Sequence, residues 1–199
     1  MLNMSVEELI TSIVLDKFEN ENSDFEGTYM MLLDSGEIAI APLLATLESN
    51  DHNQHHIIAS ILCDILVDIH DEDALDLLLN LIDHPINAIF TPAIRAIARF
   101  KLPMINDVLC KLLDHPAPQV RRVASWQLGR NQAVEALPTL VDHLEEIDME
   151  TLRGIIWSLG IIGDQRVSRY IEPFTRHLTN DIAYIAEEAI QRIQEKNLA

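Results

Sequence analysis

The sequence predicts an all-α protein, an α-α superhelix of about five helix pairs with a further helix at each end. Three observations predict it. First, "SWQLGRN" at 125–131 is echoed by "WSLGII" at 157–162, so Trp126, Leu128 and Gly129 recur as Trp157, Leu159 and Gly160 after 31 residues. A repeat of that length is the mark of stacked supersecondary units. Second, Ala93, Ala124, Ile155 and Ala186 form a column at steps of 31, extended backwards by Ala59 and Thr28. Four residues after each stand Leu32, Cys63, Ile97, Leu128, Leu159 and Ile190. Spacing of four puts each pair on one helical face, a small residue for close approach and a larger one for the core. Third, the chain is 48% hydrophobic but only 5% aromatic, with six glycines and eight prolines in 199 residues. That is too little turn chemistry for an all-β chain.

The elements follow in order. A first helix is predicted over about 5–20, with Ser5 and Glu8 as a capping box and an apolar stripe of Val6, Leu9, Ile10, Ile13, Val14 and Phe18. Helix pairs are predicted at 25–34 with 37–49, 53–69 with 73–82, 87–100 with 103–113, 117–129 with 133–146, and 150–162 with 165–178. A last helix covers 181–196. Pro92 is expected to kink its helix, or to restart it at Thr91. Joints are expected near Asp51, Asp83, Asp114 and Asp148. At "LIDHP" (81–85) and "LLDHP" (112–116) the Asp is expected to cap backbone N–H groups and the Pro to open the next helix. Residues 1–199 are therefore read as one domain. The helix within 1–23 caps one end, 24–180 holds the repeats, and 181–199 caps the other end.

Charge is uneven. Of the 32 acidic residues, 18 lie in residues 1–84 against the single base Lys17, a net −17. Residues 85–199 hold 14 acids and 13 bases, a net −1. So acidic a chain is repelled by phosphate backbones and anionic membranes, which argues against nucleic acid and membrane as partners. The acidic half is either a solubilising surface or a docking face for a basic protein. In a solenoid each unit touches its neighbours only, so the imbalance is expected to give an acidic end and a near-neutral end. Cys63 and Cys110 form no Cys-x-x-Cys pair, no apolar stretch reaches about 18 residues, and the N-terminus reads as no secretory signal; a cytoplasmic protein is expected.

The segments "DHPAPQVRRVASWQLG" (114–129), "AVEALPTLVDHL" (133–144) and "LGIIGD" (159–164) resemble HEAT repeats of the phycobilisome-lyase-like type. The resemblance is fullest over 114–190. Over 24–113 the Leu-Gly and Val-Arg pairs are replaced and only the apolar spacing and joint residues persist. It implies a superhelix of antiparallel pairs whose second helices line the concave side, and a function in binding other proteins. Val120 and Arg121 match the motif's Val-Arg pair, and the resemblance implies that Arg121 bridges to a joint Asp. Some similar proteins are subunits that attach or remove bilins, but the repeat motif does not encode that chemistry. Hydroxylases with similar repeats carry paired His-Glu motifs; this sequence has no His-Glu dipeptide.

No enzyme activity and no cofactor are expected. His52, His55 and His56 in "DHNQHH" resemble a metal cluster by spacing, yet they open a surface helix, and a solvated cap region suits them better than a metal site. Two candidate partner-binding features stand above the scaffold. Trp126 and Trp157 lie about 200° round the helix from the core position, where a polar residue is usual, so they either pack between repeats or form an exposed anchor. Arg166, Arg169 and Arg176, with His177, read as a stripe opposite Val167, Tyr170, Ile171, Phe174 and Leu178, either solvated or gripping an acidic segment. The expected function is a non-enzymatic scaffold that binds a partner on its concave or Trp-bearing surface. The alternatives are a phycobiliprotein chromophore lyase or chaperone subunit, and an acidic immunity or inhibitor protein for a basic toxin.

Overall fold

A computed structural model describes residues 4–14, 25–49, 55–102 and 104–198. Among these the chain is all helix and turn, with no strand. It divides into two compact units, residues 1–102 and 103–199. The expected Phe18, Asp51 and His52 features lie outside the described residues.

The first unit holds α1 (Val6–Val14), α2 (Phe25–Asp34), α3 (Glu37–Glu48), α4 (His55–Ile69), α5 (Glu72–Ile82) and α6 (Asn87–Ile97). The expected capping box opens α1: the Ser5 N–H donates to Glu8 Oε2 at 2.8 Å and the Glu8 N–H to Ser5 Oγ at 3.2 Å. The small-residue column is buried at Ala59 and Ala93, and the larger one at Leu32, Cys63 and Ile97. Pro92 does not restart its helix, because α6 runs unbroken from Asn87 to Ile97. One missing N–H is offset where Ile89, Phe90, Ala93 and Ile94 are all buried around it.

The second unit holds α7 (Ile105–Leu112), α8 (Pro118–Arg130), α9 (Leu137–Asp142), α10 (Met149–Ile162), α11 (Ser168–Ile171) and α12 (Asn180–Leu198). Short 3-10 turns at 134–136 and 165–167 lead into α9 and α11, and a third covers 172–176. The Leu-Gly pair explains itself here. Leu128 and Leu159 are fully buried, and the glycines beside them let the next helix in. A Cβ on Gly129 would lie 2.8 Å from Ser158 Cα of α10, and one on Gly160 would lie 2.7 Å from Ala189 Cα of α12. Ser158 Oγ donates to the Ser125 carbonyl at 2.6 Å, so the close approach also satisfies a buried hydroxyl. Gly163 ends α10 in the left-handed region (φ 76°), its N–H on the Leu159 carbonyl at 3.1 Å. In α12, Lys196 Nζ donates to the Ile162 carbonyl at 2.8 Å and caps that same end.

Two expectations about the joints are corrected. The N-cap positions of α6 and α8, Ile86 and Ala117, carry no side-chain cap, and Asp114 Oδ1 lies 3.1 Å from His143 Nε2 rather than on the N-terminus of α8. The residue after the Asp does the work instead. His84 Nδ1 accepts the Ile86 N–H at 3.2 Å, and His115 Nδ1 accepts the Ala117 N–H at 3.1 Å. Pro118, not Pro116, sits in the first helical turn. Asp148 does cap, accepting the Thr151 N–H at 2.9 Å. The second correction concerns Arg121. Its guanidinium forms a two-point pair with Glu146 (2.7 and 2.9 Å) and not with a joint Asp, and it also donates to the His115 and Pro116 carbonyls.

Candidate functional site

Each unit carries a groove beside its second helices. In the first unit a groove of about 360 Å³ runs along α3, the end of α4 and the start of α5. Its apolar lining is Ile40, Ala41, Leu66, Ile69, Ala74 and Leu77, and every charged residue lining it, Glu37, Asp71 and Asp73, is acidic. Local rules place these carboxylates. Glu37 and Asp73 sit in the first turns of α3 and α5, and Asp71 is the N-cap of α5, accepting the Ala74 N–H at 2.8 Å. The result is an apolar trough with an acidic rim.

In the second unit a groove of about 430 Å³ lies between α9 and the 165–170 segment, lined by Leu137, Pro138 and Val141 on one side and Val167, Arg169 and Tyr170 on the other. Of the expected stripe, Arg166 and Arg169 reach this groove, and Arg176 and His177 do not. The stripe is divided because 165–178 is not one helix: 3-10 turns flank the single turn of α11. Val167 and Ile171 are buried as expected, whereas Tyr170 and Leu178 are exposed. Arg166 is already engaged, its Nη2 donating to Asp164 Oδ2 at 2.6 Å. Those bonds hold the Asp164 carboxyl at about 2, well below its usual range. Arg169 donates to the Tyr170 hydroxyl at 2.8 Å and lies 4.7 Å from its ring centroid. His177 belongs to a joint: its Nδ1 accepts the Thr179 N–H at 3.1 Å.

Trp126 and Trp157 meet across α8 and α10, with ring centroids 4.6 Å apart and planes inclined at 44°. Both remain half-buried. The rings therefore pack against each other between repeats without being fully buried. Gly154 makes the contact possible; a Cβ there would lie 3.0 Å from Trp126 Cδ1 and Nε1.

One polar cluster escaped the sequence reading. In the first unit the Tyr29 hydroxyl and the Arg99 guanidinium both donate to Asp64. Burial, then the Asp64 bond, pushes the Tyr29 phenol up. Burial first and Asp64 second push the neighbouring Cys63 thiol up to about 12. A thiol so shifted is neutral at pH 7 and no nucleophile. Tyr29, Asp64 and Arg99 come together through the stacking of α2, α4 and the end of α6, at separations of 35 residues that no local motif announces.

His55 and His56 open α4; His55 Nε2 lies 3.3 Å from the Ser49 carbonyl, and His56 is exposed. Among the described residues no three His, Cys, Asp or Glu side chains are grouped to hold a metal. No single described helix is long and apolar enough to cross a membrane.

Residues 106–193 match the family model for HEAT repeats. That match spans most of the second unit. Among solved structures, the complex of CpcE and CpcF of phycocyanin lyase from Nostoc sp. PCC7120 is similar at 19% identity and a TM-score of 0.58. That alignment covers 78% of the present chain and 65% of the lyase chain, so it spans less than two thirds of that relative. An engineered protein aligns over 96% of this chain and 98% of its own, with 17% identity and a TM-score of 0.54. A designed armadillo repeat protein in complex with the peptide (KR)4 aligns over 96% and 100%, with 14% identity and a TM-score of 0.53. These likenesses establish the fold, an all-α repeat solenoid of the HEAT and armadillo kind. No curated protein matches the chain.

Proposed function

We propose that the chain is a non-enzymatic scaffold, one binding domain over 1–199, that holds a basic segment of a partner protein in the groove along α3 and α5. The observation that carries this reading is the pairing of an apolar floor with a rim that is acidic only. It lies within the stretch that bears a net −17. Apolar side chains of the segment would be buried on Ile40, Leu66 and Leu77, while its Lys or Arg residues face Glu37 and Asp73. Charge of this kind steers encounter and fixes register more than it adds affinity. The likeness to an armadillo protein that holds (KR)4 is one of fold, and agrees with this mode without supplying residues for it. An inhibitor of a basic toxin would use the same groove, and differs from the scaffold only in its partner. The free Cys63 and Cys110 suit a reducing cytosol.

The test is fluorescence anisotropy with a labelled Lys- and Leu-bearing peptide. Binding should be saturable and should weaken with added salt as screening grows. Asp73→Lys should weaken it about tenfold, chiefly through slower association, with only a small drop in melting temperature because Asp73 also sits in the first turn of α5. Asp71 is left alone because it caps α5. Equal binding by Asp73→Lys would remove the groove from the reading.

A further inference from the structure

A different surface of the second unit points to a different ligand. The period of 31 aligns Arg122, Arg153 and Tyr184 in one row across α8, α10 and α12, and Trp126, Trp157 and Glu188 in the next. Arg122 and Trp126 are four apart, as are Arg153 and Trp157, so each pair shares a helical face. The Trp rings form one aromatic patch, and Tyr184 is 62% exposed. Trp, Tyr and Arg are the residue types that dominate binding hot spots.

The guanidiniums of this face are incompletely satisfied. Arg153 pairs with Glu150 at 3.0 Å and Arg192 with Glu188 at 3.7 Å. Arg153 Nε and Arg192 Nη1 are nevertheless buried without an acceptor. Arg122 goes further: among the described residues it has no carboxylate partner at ion-pair distance, and its Nε is also buried without an acceptor. The Thr151 bond chiefly, and the charge of Arg122 to a smaller extent, lower the Asp148 pKa, so the cation is felt locally though not paired. Arg122 has lost part of its hydration but is not fully buried, and a carboxylate that meets its open side partly offsets that cost through charge-assisted hydrogen bonds.

We propose that the face formed by Arg122, Trp126, Trp157 and Tyr184 docks a carboxylate-bearing segment of a partner protein. It stacks apolar side chains on the indoles and sets an Asp or Glu against Arg122. The ligand is a protein segment, not a phosphate polymer or lipid surface, because the whole chain carries −18 and opposes a dense array of anions. Against that long-range field, selection rests on short-range contacts at Arg122 and the Trp pair.

The chain's two tryptophans both lie here, so intrinsic fluorescence reports this face alone. A synthetic peptide with a single Glu flanked by Leu and uncharged polar residues should give a saturable change in Trp emission. Arg122→Gln should weaken it about fivefold, the upper scale for an exposed ion pair, with an unchanged melting temperature. Arg122→Lys should keep most of the affinity. The absence of a saturable change, equal affinity for Arg122→Gln and the parent, or an equal response to a single-stranded oligonucleotide or anionic vesicles would each overturn the proposal. The first unit has no Trp, and its groove is tested with a basic peptide by anisotropy, so either site can fail while the other stands.

Discussion

At Gly160 the fold turns on a single missing methyl group. The Leu159 side chain fills the core while the adjacent backbone meets Ala189 of α12, and a Cβ would sit 2.7 Å from that residue's Cα. Backbone cannot swing aside as a flexible side chain can, so α10 and α12 would have to separate. Gly160→Ala should therefore destabilise by roughly 1–3 kcal/mol through overpacking, measured as a shift in urea midpoint. An unchanged midpoint would mean that the helices part at no cost. The same logic was half legible in the sequence. The Leu-Gly recurrence announced a helix contact, but which neighbour fills the glycine's space, Ser158 for Gly129 and Ala189 for Gly160, follows only from stacking. Likewise the 31-residue spacing of Trp126 and Trp157 is visible in the chain, whereas their ring contact depends on the absence of a side chain at Gly154.

Among the elements, four successive joints share one device with different chemistry. Counting by 31 from His84 gives His115, Glu146 and His177. Each accepts the backbone N–H two residues ahead: Ile86, Ala117, Asp148 and Thr179 respectively, at 2.8–3.2 Å. The side chain closes the turn that starts each next helix, as Asn and Asp do in Asx turns. The column hid in the sequence because Glu146 breaks the residue type and because the neighbouring Asp and Pro fit the usual capping roles. His115→Ala should lose about 1 kcal/mol, the worth of a local side-chain-to-backbone bond, while His115→Asn, which can make the same turn, should lose less. Equal losses in thermal denaturation would show that the ring packs there and does not cap. The first helices were legible to within a few residues because their core columns are long and regular. The second helices α9 and α11 were read too long. Pro138 occupies the first turn of α9, and Pro173 supplies no N–H to extend α11, so regular helix is confined to 137–142 and 168–171.

For the whole molecule, pH sets two opposed effects. The excess of acids, 32 against 14 bases, makes like charges repel at pH 7, most of all within residues 1–84. That repulsion eases only as pH approaches the usual carboxylate range, about 4, so stability should rise modestly as pH falls towards 5. Glu146, Asp148 and Asp164 act the other way. Their folded pKa values are lowered, by the Arg121 bond, the Thr151 bond and the Arg166 bonds respectively. A carboxyl with a lowered folded pKa stabilises fully above its unfolded value, about 4, and loses that contribution as pH falls through the folded value. For Asp164 that loss ends near 2. The melting temperature should therefore pass through a maximum in mildly acid solution and fall below about pH 4. Glu146 dominates the falling limb because its bond to Arg121 is partly buried, with the carboxylate side chain 8% exposed, while Asp164 faces solvent through an exposed Arg166. Glu146→Gln removes the charge but keeps an acceptor for the Asp148 N–H. It should cost about 1–3 kcal/mol at pH 7, the range for a hydrogen bond to a charged group. The deficit should shrink as the parent's Glu146 protonates below pH 4. A deficit that stayed constant from pH 7 to pH 3 would show that the Arg121 clamp holds by shape and not by charge.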